Sequence, residues 1–283
     1  MNKIAIVTDS SCDIPKEMME EHQIHMLPLK IIYKDQEYRD RVEISPEEIY
    51  ERFSEEVPTS SLPSPEDAHN LLEKLASEGF THVIGIFISS GLSGTYNMVR
   101  TVASDIENLT IELIDSKSLS MGLGFIALEA AKALEKGLSF DAIVSHVKEV
   151  VEVTDTYYVI KTLEYLKKGG RIGKVEGTIG DLLNIKPIIS VGKDGTYYTY
   201  RKVRGRKKSI NELYNIAIER IGNKRVNISI AHGDALKEAE ALCEKLKNVK
   251  GVESVFVDQI SPVLAVHTGP GLVGFNVSDI IEL

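Results

Sequence analysis

Short apolar runs alternate with helical patterns through the first half of the chain. Runs rich in apolar residues at 4–7, 83–88 and 110–114 have the length and the β-branched content of strands. Apolar positions at helical spacing predict helices over 121–136 and 140–153. This alternation is typical of a parallel sheet with helices packed on it. We therefore predict an α/β/α region built on a mostly parallel sheet.

The second half of the chain has a different pattern. Two β-rich runs are joined by residues 193–196, whose sequence Lys-Asp-Gly-Thr is a hairpin signal. Further strands are predicted at 226–231, 254–260 and 274–277, and helices at 207–221 and 235–247. The pattern predicts a mixed sheet covered by helices. A composition shift at 153–156 then divides the chain into two α/β domains, residues 1–153 and 154–283.

Hydroxyl and glycine residues follow the strand at 83–88. The segment from Ser89 to Thr95 reads Ser-Ser-Gly-Leu-Ser-Gly-Thr and precedes a predicted helix. Its glycines let the backbone approach a ligand closely, and the free N–H groups of a helix N-terminus favour a carboxylate or a phosphate. Hydroxyl-rich loops at 8–11 and 115–118 follow the other two strands. Because ligands bind at the carboxyl ends of parallel strands, the three loops are predicted to share one polar cavity.

Composition and charge exclude several classes of function. The net charge of −9 over 283 residues argues against nucleic acid as the main partner. No apolar stretch approaches the ~20 residues that span a bilayer, so we expect no stable membrane insertion. The first residues are strand-like and lack the pattern of a signal peptide, which predicts a cytoplasmic protein. Cys12 and Cys243 have no metal-ligand spacing, so we expect neither a metal site nor a disulfide.

A series of short motifs runs in order along nearly the whole chain. They lie at 6–15, 59–65, 89–97, 115–117, 169–172 and 267–271. Together they resemble the DegV family, a group that includes the fatty-acid-binding subunits of bacterial fatty acid kinase. The resemblance implies two α/β domains with one fatty acid between them. Loop hydroxyls would hold the carboxylate, and the C-terminal domain would bury the acyl chain.

The resemblance also implies individual binding residues. The two central hydroxyls, Ser61 and Ser93, would donate charge-assisted hydrogen bonds to the carboxylate. His267 would lie at the mouth of the site and partly neutralise the carboxylate. The complete set of implied fatty-acid-binding residues is Ser61, Ser93, Thr59, Ser60, Gly94, His267, Thr268 and Arg171. Leu62 stands where family members often carry Gln, which places a side-chain amide contact there in doubt.

Each of these residues also has a structural interpretation. Ser61 or Ser93 would then cap a helix N-terminus, whose free N–H groups need partners. His267 would be a structural histidine, and Arg171 a surface arginine after a glycine helix cap.

The function implied by the resemblance is binding, without catalytic residues or a cofactor of the chain's own. The protein would hold a long-chain fatty acid such as palmitate and present its carboxylate to a separate ATP-dependent kinase, which forms the acyl-phosphate. The chain has no G-x-x-x-x-G-K-[ST] phosphate-binding motif. Arg201 and Arg204 belong to a basic segment, 201–208, and are candidate docking residues for the kinase. The alternative for this segment is a solvated strand edge.

Two other functions stay open. A serine hydrolase would use Ser93 as nucleophile, and Ser93 before His267 fits the chain order of α/β-hydrolases. Thr95, however, stands where the G-x-S-x-G motif requires glycine, and no acid can be assigned. The other alternative is a lipid carrier or sensor that serves no kinase. Residues 177–189 are a candidate wall of the acyl pocket.

Overall fold

The computed structural model describes residues 2–178 and 185–282, so residues 179–184 of the predicted pocket wall lie outside the described residues. In chain order the strands are β1 (Ile4–Asp9), β2 (Ile24–Leu27), β3 (Lys30–Ile32), β4 (Glu37–Arg39), β5 (Thr59–Ser61), β6 (His82–Phe87), β7 (Thr110–Asp115), β8 (Thr154–Val159), β9 (Ile185–Val191), β10 (Tyr197–Arg204), β11 (Val226–Gly233), β12 (Val252–Gln259) and β13 (Leu272–Asp279). The α-helices are α1 (Lys16–Glu21), α2 (Pro46–Arg52), α3 (Pro65–Ser77), α4 (Thr95–Ala103), α5 (Ser120–Glu135), α6 (Phe140–Glu152), α7 (Glu164–Lys168), α8 (Arg206–Ile221), α9 (Leu236–Leu246) and α10 (Pro262–Thr268). Short 3-10 turns occur at Ser10–Cys12 and Gly173–Thr178.

A four-stranded sheet in the order β2-β1-β6-β7 is parallel throughout. Its central strands are almost fully buried because helices cover both faces. The apolar runs therefore predicted this sheet correctly, apart from the short strand β2, which the prediction did not contain.

The second large sheet has six strands in the order β10-β9-β8-β13-β11-β12. Its neighbours are antiparallel except for β11 and β12, which makes the sheet mixed, as predicted. The hairpin signal at 193–196 joins β9 to β10. Helices α8 and α9 pack on one face, and the other face turns toward α5 and α10. The two-domain α/β fold is thus confirmed, whereas the boundary between residues 153 and 154 stays a prediction.

Helix α5 lies between the two large sheets. It contacts β1 and β6 on one side and β8 and β13 on the other, and most of its residues are buried. A helix buried all round reads as continuously apolar, as residues 121–128 of α5 do. Two glycines permit this close packing, since a Cβ on Gly122 would overlap Ser118 Oγ and one on Gly124 would come within 2.6 Å of the Cys12 carbonyl oxygen.

A small antiparallel sheet in the order β4-β3-β5 was not predicted. Each of its strands has three residues, too few to show a period-2 pattern. This sheet determines where the serine loop lies, because Ser60 pairs with Ile31 and Ser61 pairs with Lys30. Among the described helices, none is long and apolar enough to cross a membrane.

The loop after β1 holds the parallel sheet together. Asp9 is fully buried, and its carboxylate accepts hydrogen bonds from the Ile88 amide at 2.7 Å and from the Ser11 amide at 3.0 Å. The Ser11 hydroxyl donates to the same carboxylate at 2.5 Å. These bonds use the loop's polar groups within the fold, so the prediction that this loop lines a shared ligand cavity is wrong.

Replacing Asp9 with alanine is expected to lower the free energy of unfolding by about 3 kcal/mol, because buried donors including the Ile88 amide lose their acceptor. Chemical denaturation followed by circular dichroism measures the loss. Asp9→Asn keeps one acceptor oxygen in place and should recover part of the stability. Equal stabilities of wild type and Asp9→Ala would contradict this structural role.

Candidate functional site

A pocket lies where the small sheet, the turn at 89–95 and helix α10 meet. Its polar lining residues are Ser60, Ser61, Ser93, Arg171, His267 and Thr268. We call it the head pocket. The structure thus brings together six of the eight residues that the resemblance implied. Thr59 and Gly94 are not among the lining residues: Thr59 is exposed at the start of β5, and Gly94 caps α4.

Ser61 is not a helix cap. The cap of α3 is Ser64, whose hydroxyl oxygen accepts from the Asp67 amide at 3.0 Å, while the Asp67 carboxylate accepts from the Ser64 amide at 3.2 Å. This reciprocal capping box satisfies the helix N-terminus without Ser61. The Ser61 hydroxyl lines the head pocket and forms no hydrogen bond within the described part of the chain.

The Ser93 hydroxyl accepts a structural hydrogen bond and can also donate its own proton to a ligand. Its hydroxyl oxygen accepts from the Thr95 amide at 3.3 Å and lies 2.9 Å from the buried Thr95 hydroxyl. When Thr95 donates in this pair, the Ser93 proton is available to a ligand, because a hydroxyl both donates and accepts. The capping interpretation therefore holds in part, and it is compatible with ligand binding.

His267 pairs with Ser60. The Nε2 atom of His267 lies 2.6 Å from the Ser60 hydroxyl, while its Nδ1 atom is buried and has no hydrogen-bond partner among the described residues. Burial and the neighbouring Arg171 lower the pKa of His267 to about 4. The ring is therefore uncharged near neutral pH, which does not support the expectation that His267 neutralises a carboxylate.

We expect NMR titration of His267 to show a midpoint near pH 4. Because its pKa lies below the ordinary value of about 6.5, the unfolded chain binds this proton more readily than the folded one between those two pH values. The contribution of His267 to stability is therefore lost as the pH falls from 6.5 to 4. A His267→Gln variant assigns the resonance. A midpoint at or above 6.5 would contradict the buried, neutral ring.

Arg171 supplies the positive charge of the head pocket. It follows α7 and a tight turn in which Gly170 has a φ of +70°, and its own amide donates to the Leu166 carbonyl at 2.9 Å. One guanidinium nitrogen donates to the Gly169 carbonyl at 2.6 Å. Since an arginine has five donor N–H groups, others stay available for an anion. Arg171 lines the pocket and is half-buried, unlike a free surface arginine.

A second cavity adjoins the head pocket. Strands β8, β11 and β13 provide one wall through residues such as Tyr158, Ala231 and Leu272, and the start of α5 and helix α10 provide the other. We call it the tail cavity. Several of its polar wall side chains are paired within the protein: the Thr156 hydroxyl donates to Asn276 Oδ1 at 2.8 Å, and the Ser120 hydroxyl donates to the Asp13 carboxylate. The cavity therefore suits an apolar ligand.

The two cavities have three lining residues in common: Tyr197, Leu264 and Thr268. A ligand with an anionic head and a long apolar tail would thus find both environments side by side.

The loop after β7 bonds to the turn at 89–95, which lines the head pocket. Asp115 accepts hydrogen bonds from the Ser90 amide and hydroxyl, and it forms an ion pair with Lys117 at 2.7 Å. None of the residues 115–118 lines the head pocket. Of the three loops predicted to share a cavity, only the turn at 89–95 contributes to it. Within the described residues, no cluster of three or more His, Cys, Asp or Glu side chains could hold a metal ion.

Comparison with known proteins identifies the family of this chain. A family model described as "uncharacterised protein, DegV family" matches residues 3–279. The chain belongs to the DegV family. A DegV domain-containing protein of Clostridium acetobutylicum is 47% identical over 274 residues, which cover 97% of this chain and 98% of that protein.

Solved DegV structures have the same fold. A DegV family protein from Thermus thermophilus, described as fatty acid binding, is 31% identical with a TM-score of 0.92, covering 98% of this chain and 100% of that one. A protein from Eubacterium ventriosum, described as binding stearic acid, is 30% identical with a TM-score of 0.89, covering 99% and 98%.

Proposed function

We propose that the protein binds one long-chain fatty acid, with the carboxylate in the head pocket and the acyl chain in the tail cavity. The observation that carries this proposal is the direct junction between a hydroxyl-rich pocket containing Arg171 and an apolar cavity. The fatty acids that two DegV relatives are described as binding have this combination of an anionic head and an apolar tail.

The energetics of such a ligand fit the division into two cavities. Each buried methylene contributes about 0.8 kcal/mol, so the tail supplies most of the affinity. A carboxylate that loses water without gaining partners would cancel several methylenes. Ser61, Ser93 and Arg171 can replace that water. The expected ligand has about 14 to 18 carbons, palmitate among them.

We further propose that the bound carboxylate is presented to a separate ATP-dependent fatty acid kinase, which forms the acyl-phosphate. Hydroxyl and guanidinium donors can hold a carboxylate as well as the more highly charged acyl-phosphate. The chain's own residues then bind and orient the ligand, and the kinase supplies the nucleotide site. The kinase partner and the cytoplasmic location stay predictions.

The basic segment predicted to dock the kinase is partly neutralised. Arg201 forms ion pairs with Glu212 and Glu219, each at 2.6 Å, and Arg206 pairs with Glu238. Arg204 is exposed on the edge strand β10 and forms no ion pair within the described residues. Arg204 is therefore the sharper test of docking, because replacing Arg201 would also remove intramolecular bonds.

Reversing the charge in Arg204→Glu is expected to lower the rate of kinase-dependent acyl-phosphate formation roughly tenfold, because a rim charge steers association. Fatty acid affinity should not change. The control is Lys250→Glu, since Lys250 is exposed next to β12 at the opposite edge of the same sheet. Equal rates for both variants and wild type would remove Arg204 from the docking surface, whereas no acyl-phosphate formation with the wild type would favour a carrier without a kinase.

The hydrolase alternative is disfavoured by the geometry around His267. The imidazole pairs with Ser60, whereas Ser93 pairs with Thr95. A catalytic histidine is oriented by a third group at its other ring nitrogen, and Nδ1 of His267 has no such partner among the described residues. Its pKa of about 4 also makes it a poor base at neutral pH.

A further inference from the structure

The tip of the β9–β10 hairpin rests on the turn that carries Ser93. The buried Ser89 hydroxyl donates to the Gly195 carbonyl at 2.7 Å, and the Gly91 amide donates to the same hydroxyl at 3.2 Å. The contact joins the turn after β6 of the parallel sheet to the hairpin of the mixed sheet. It is one of the hydrogen-bonded contacts between the two large sheets, and it lies next to the turn that lines the head pocket.

Glycine is required on both sides of this contact. Gly195 has a φ of +77°, and a Cβ there would overlap Ser89 Oγ. A Cβ on Gly91 would come within 2.6 Å of the Gly195 carbonyl oxygen. Approach of two backbones to this distance is possible only without side chains. The tip is also braced internally, because Asp194 accepts from the Thr196 amide and hydroxyl and pairs with Lys174 at 2.5 Å.

Tyr197 follows this tip by two residues and stands between the cavities. It is 4% exposed, lines both the head pocket and the tail cavity, and packs edge-on against Tyr158 of the tail cavity with ring centroids 5.6 Å apart. Leu264 and Thr268 of α10 form the opposite side. Any molecule that occupies both cavities passes between Tyr197 and α10.

We infer that Tyr197 is the constriction through which the acyl chain passes, and that the Ser89–Gly195 contact holds this constriction closed. The inference rests on the proposed function. It makes Tyr197 a residue that controls exchange of the ligand, and Ser89 and Gly195 positioning residues that act through it. Loosening the contact should speed entry and exit together, because both directions cross the same constriction.

The test is stopped-flow exchange of the fluorescent fatty acid cis-parinaric acid on the full chain. Tyr197→Ala and Gly195→Ala are each expected to raise the association and dissociation rate constants roughly tenfold, the effect of removing one good contact. The affinity, their ratio, should change far less. Gly137→Ala is the matched control, because Gly137 has a φ of +78° and nothing within 4 Å of its Cβ position.

Two results would overturn the inference. Unchanged rate constants in Tyr197→Ala and Gly195→Ala would show that the hairpin does not control exchange. Faster dissociation with unchanged association would make Tyr197 an ordinary wall residue. Ser89→Ala removes the hydrogen bond without straining the backbone and replaces Gly195→Ala if that variant does not fold. A wild-type protein that takes up no probe would instead overturn the proposed function, and the inference with it.

Discussion

Replacing Ser61 and Ser93 together with alanine is expected to lower the affinity for a long-chain fatty acid roughly a hundredfold or more. Hydrogen bonds to a charged group contribute about 1.5–3 kcal/mol each, and a buried carboxylate that loses two donors has no water to replace them. Both side chains line the head pocket; Ser61 caps no helix, and Ser93 accepts one helix amide, that of Thr95 at 3.3 Å, in a helix whose cap residue is Gly94. Displacement of a bound fluorescent fatty acid measures the effect.

The matched control for this double variant is Ser77→Ala with Ser104→Ala. Both control hydroxyls are exposed and bond to carbonyls of their own helix segments, at 2.7 Å and 2.6 Å. The control should bind like wild type. Wild-type affinity in the Ser61→Ala/Ser93→Ala variant would mean that the carboxylate is bound elsewhere.

Replacing Arg171 with glutamine is expected to abolish most of the preference for a fatty acid over the fatty alcohol of the same chain length. The guanidinium bonds strongly to a carboxylate but gains little from a neutral hydroxyl, so affinity for the acid should fall by about tenfold to a hundredfold. Affinity for the alcohol should change little, because the tail cavity is untouched. Calorimetric titration with both ligands gives the two affinities.

Arg225→Gln is the control for this experiment, since Arg225 is exposed and pairs with Glu253 away from both cavities. If Arg171→Gln weakened acid and alcohol equally, Arg171 would act on the pocket's shape and not on the ligand's charge. The account predicts a loss confined to the acid.

Local patterns in the sequence predicted most strands of the two large sheets, although β2 and the inner strand β8 were missed. Buried strands such as β6 and amphipathic helices such as α6 have their signal within a single stretch of chain. The hairpin at Asp194 and Gly195 was likewise predicted from a signal within a few neighbouring residues. The small sheet was missed because a three-residue strand has no period to detect, although it determines the position of Ser60 and Ser61.

The capping interpretation of Ser61 could have been excluded from the sequence. Ser64 precedes Asp67 by three residues and Pro65 occupies the first helical position, which is the signature of a capping box. Ser61 has no acidic residue at that spacing. Reading this spacing would have assigned the cap to Ser64 and left the Ser61 hydroxyl for another role.

Other features depend on contacts between distant residues. The loops after β1, β6 and β7 have similar compositions, yet Asp9 and Asp115 direct theirs back onto the protein's own N–H groups and serine hydroxyls. The tail cavity is lined by residues that lie far apart in the chain, the first being Leu119 and the last Asn276, and no local sequence pattern links them. Arg201 was predicted to be a docking residue, but its charge is paired with Glu212 and Glu219. Only the packing of α8 on the sheet brings these two glutamates near it.

Native mass spectrometry of the purified protein tests the central claim most directly, with denaturation and extraction of any released lipid as the second step. The account predicts one adduct with the mass of a fatty acid of about 14 to 18 carbons, depleted in the Ser61→Ala/Ser93→Ala variant. A wild-type protein that carries no lipid and takes up no added fatty acid would contradict it.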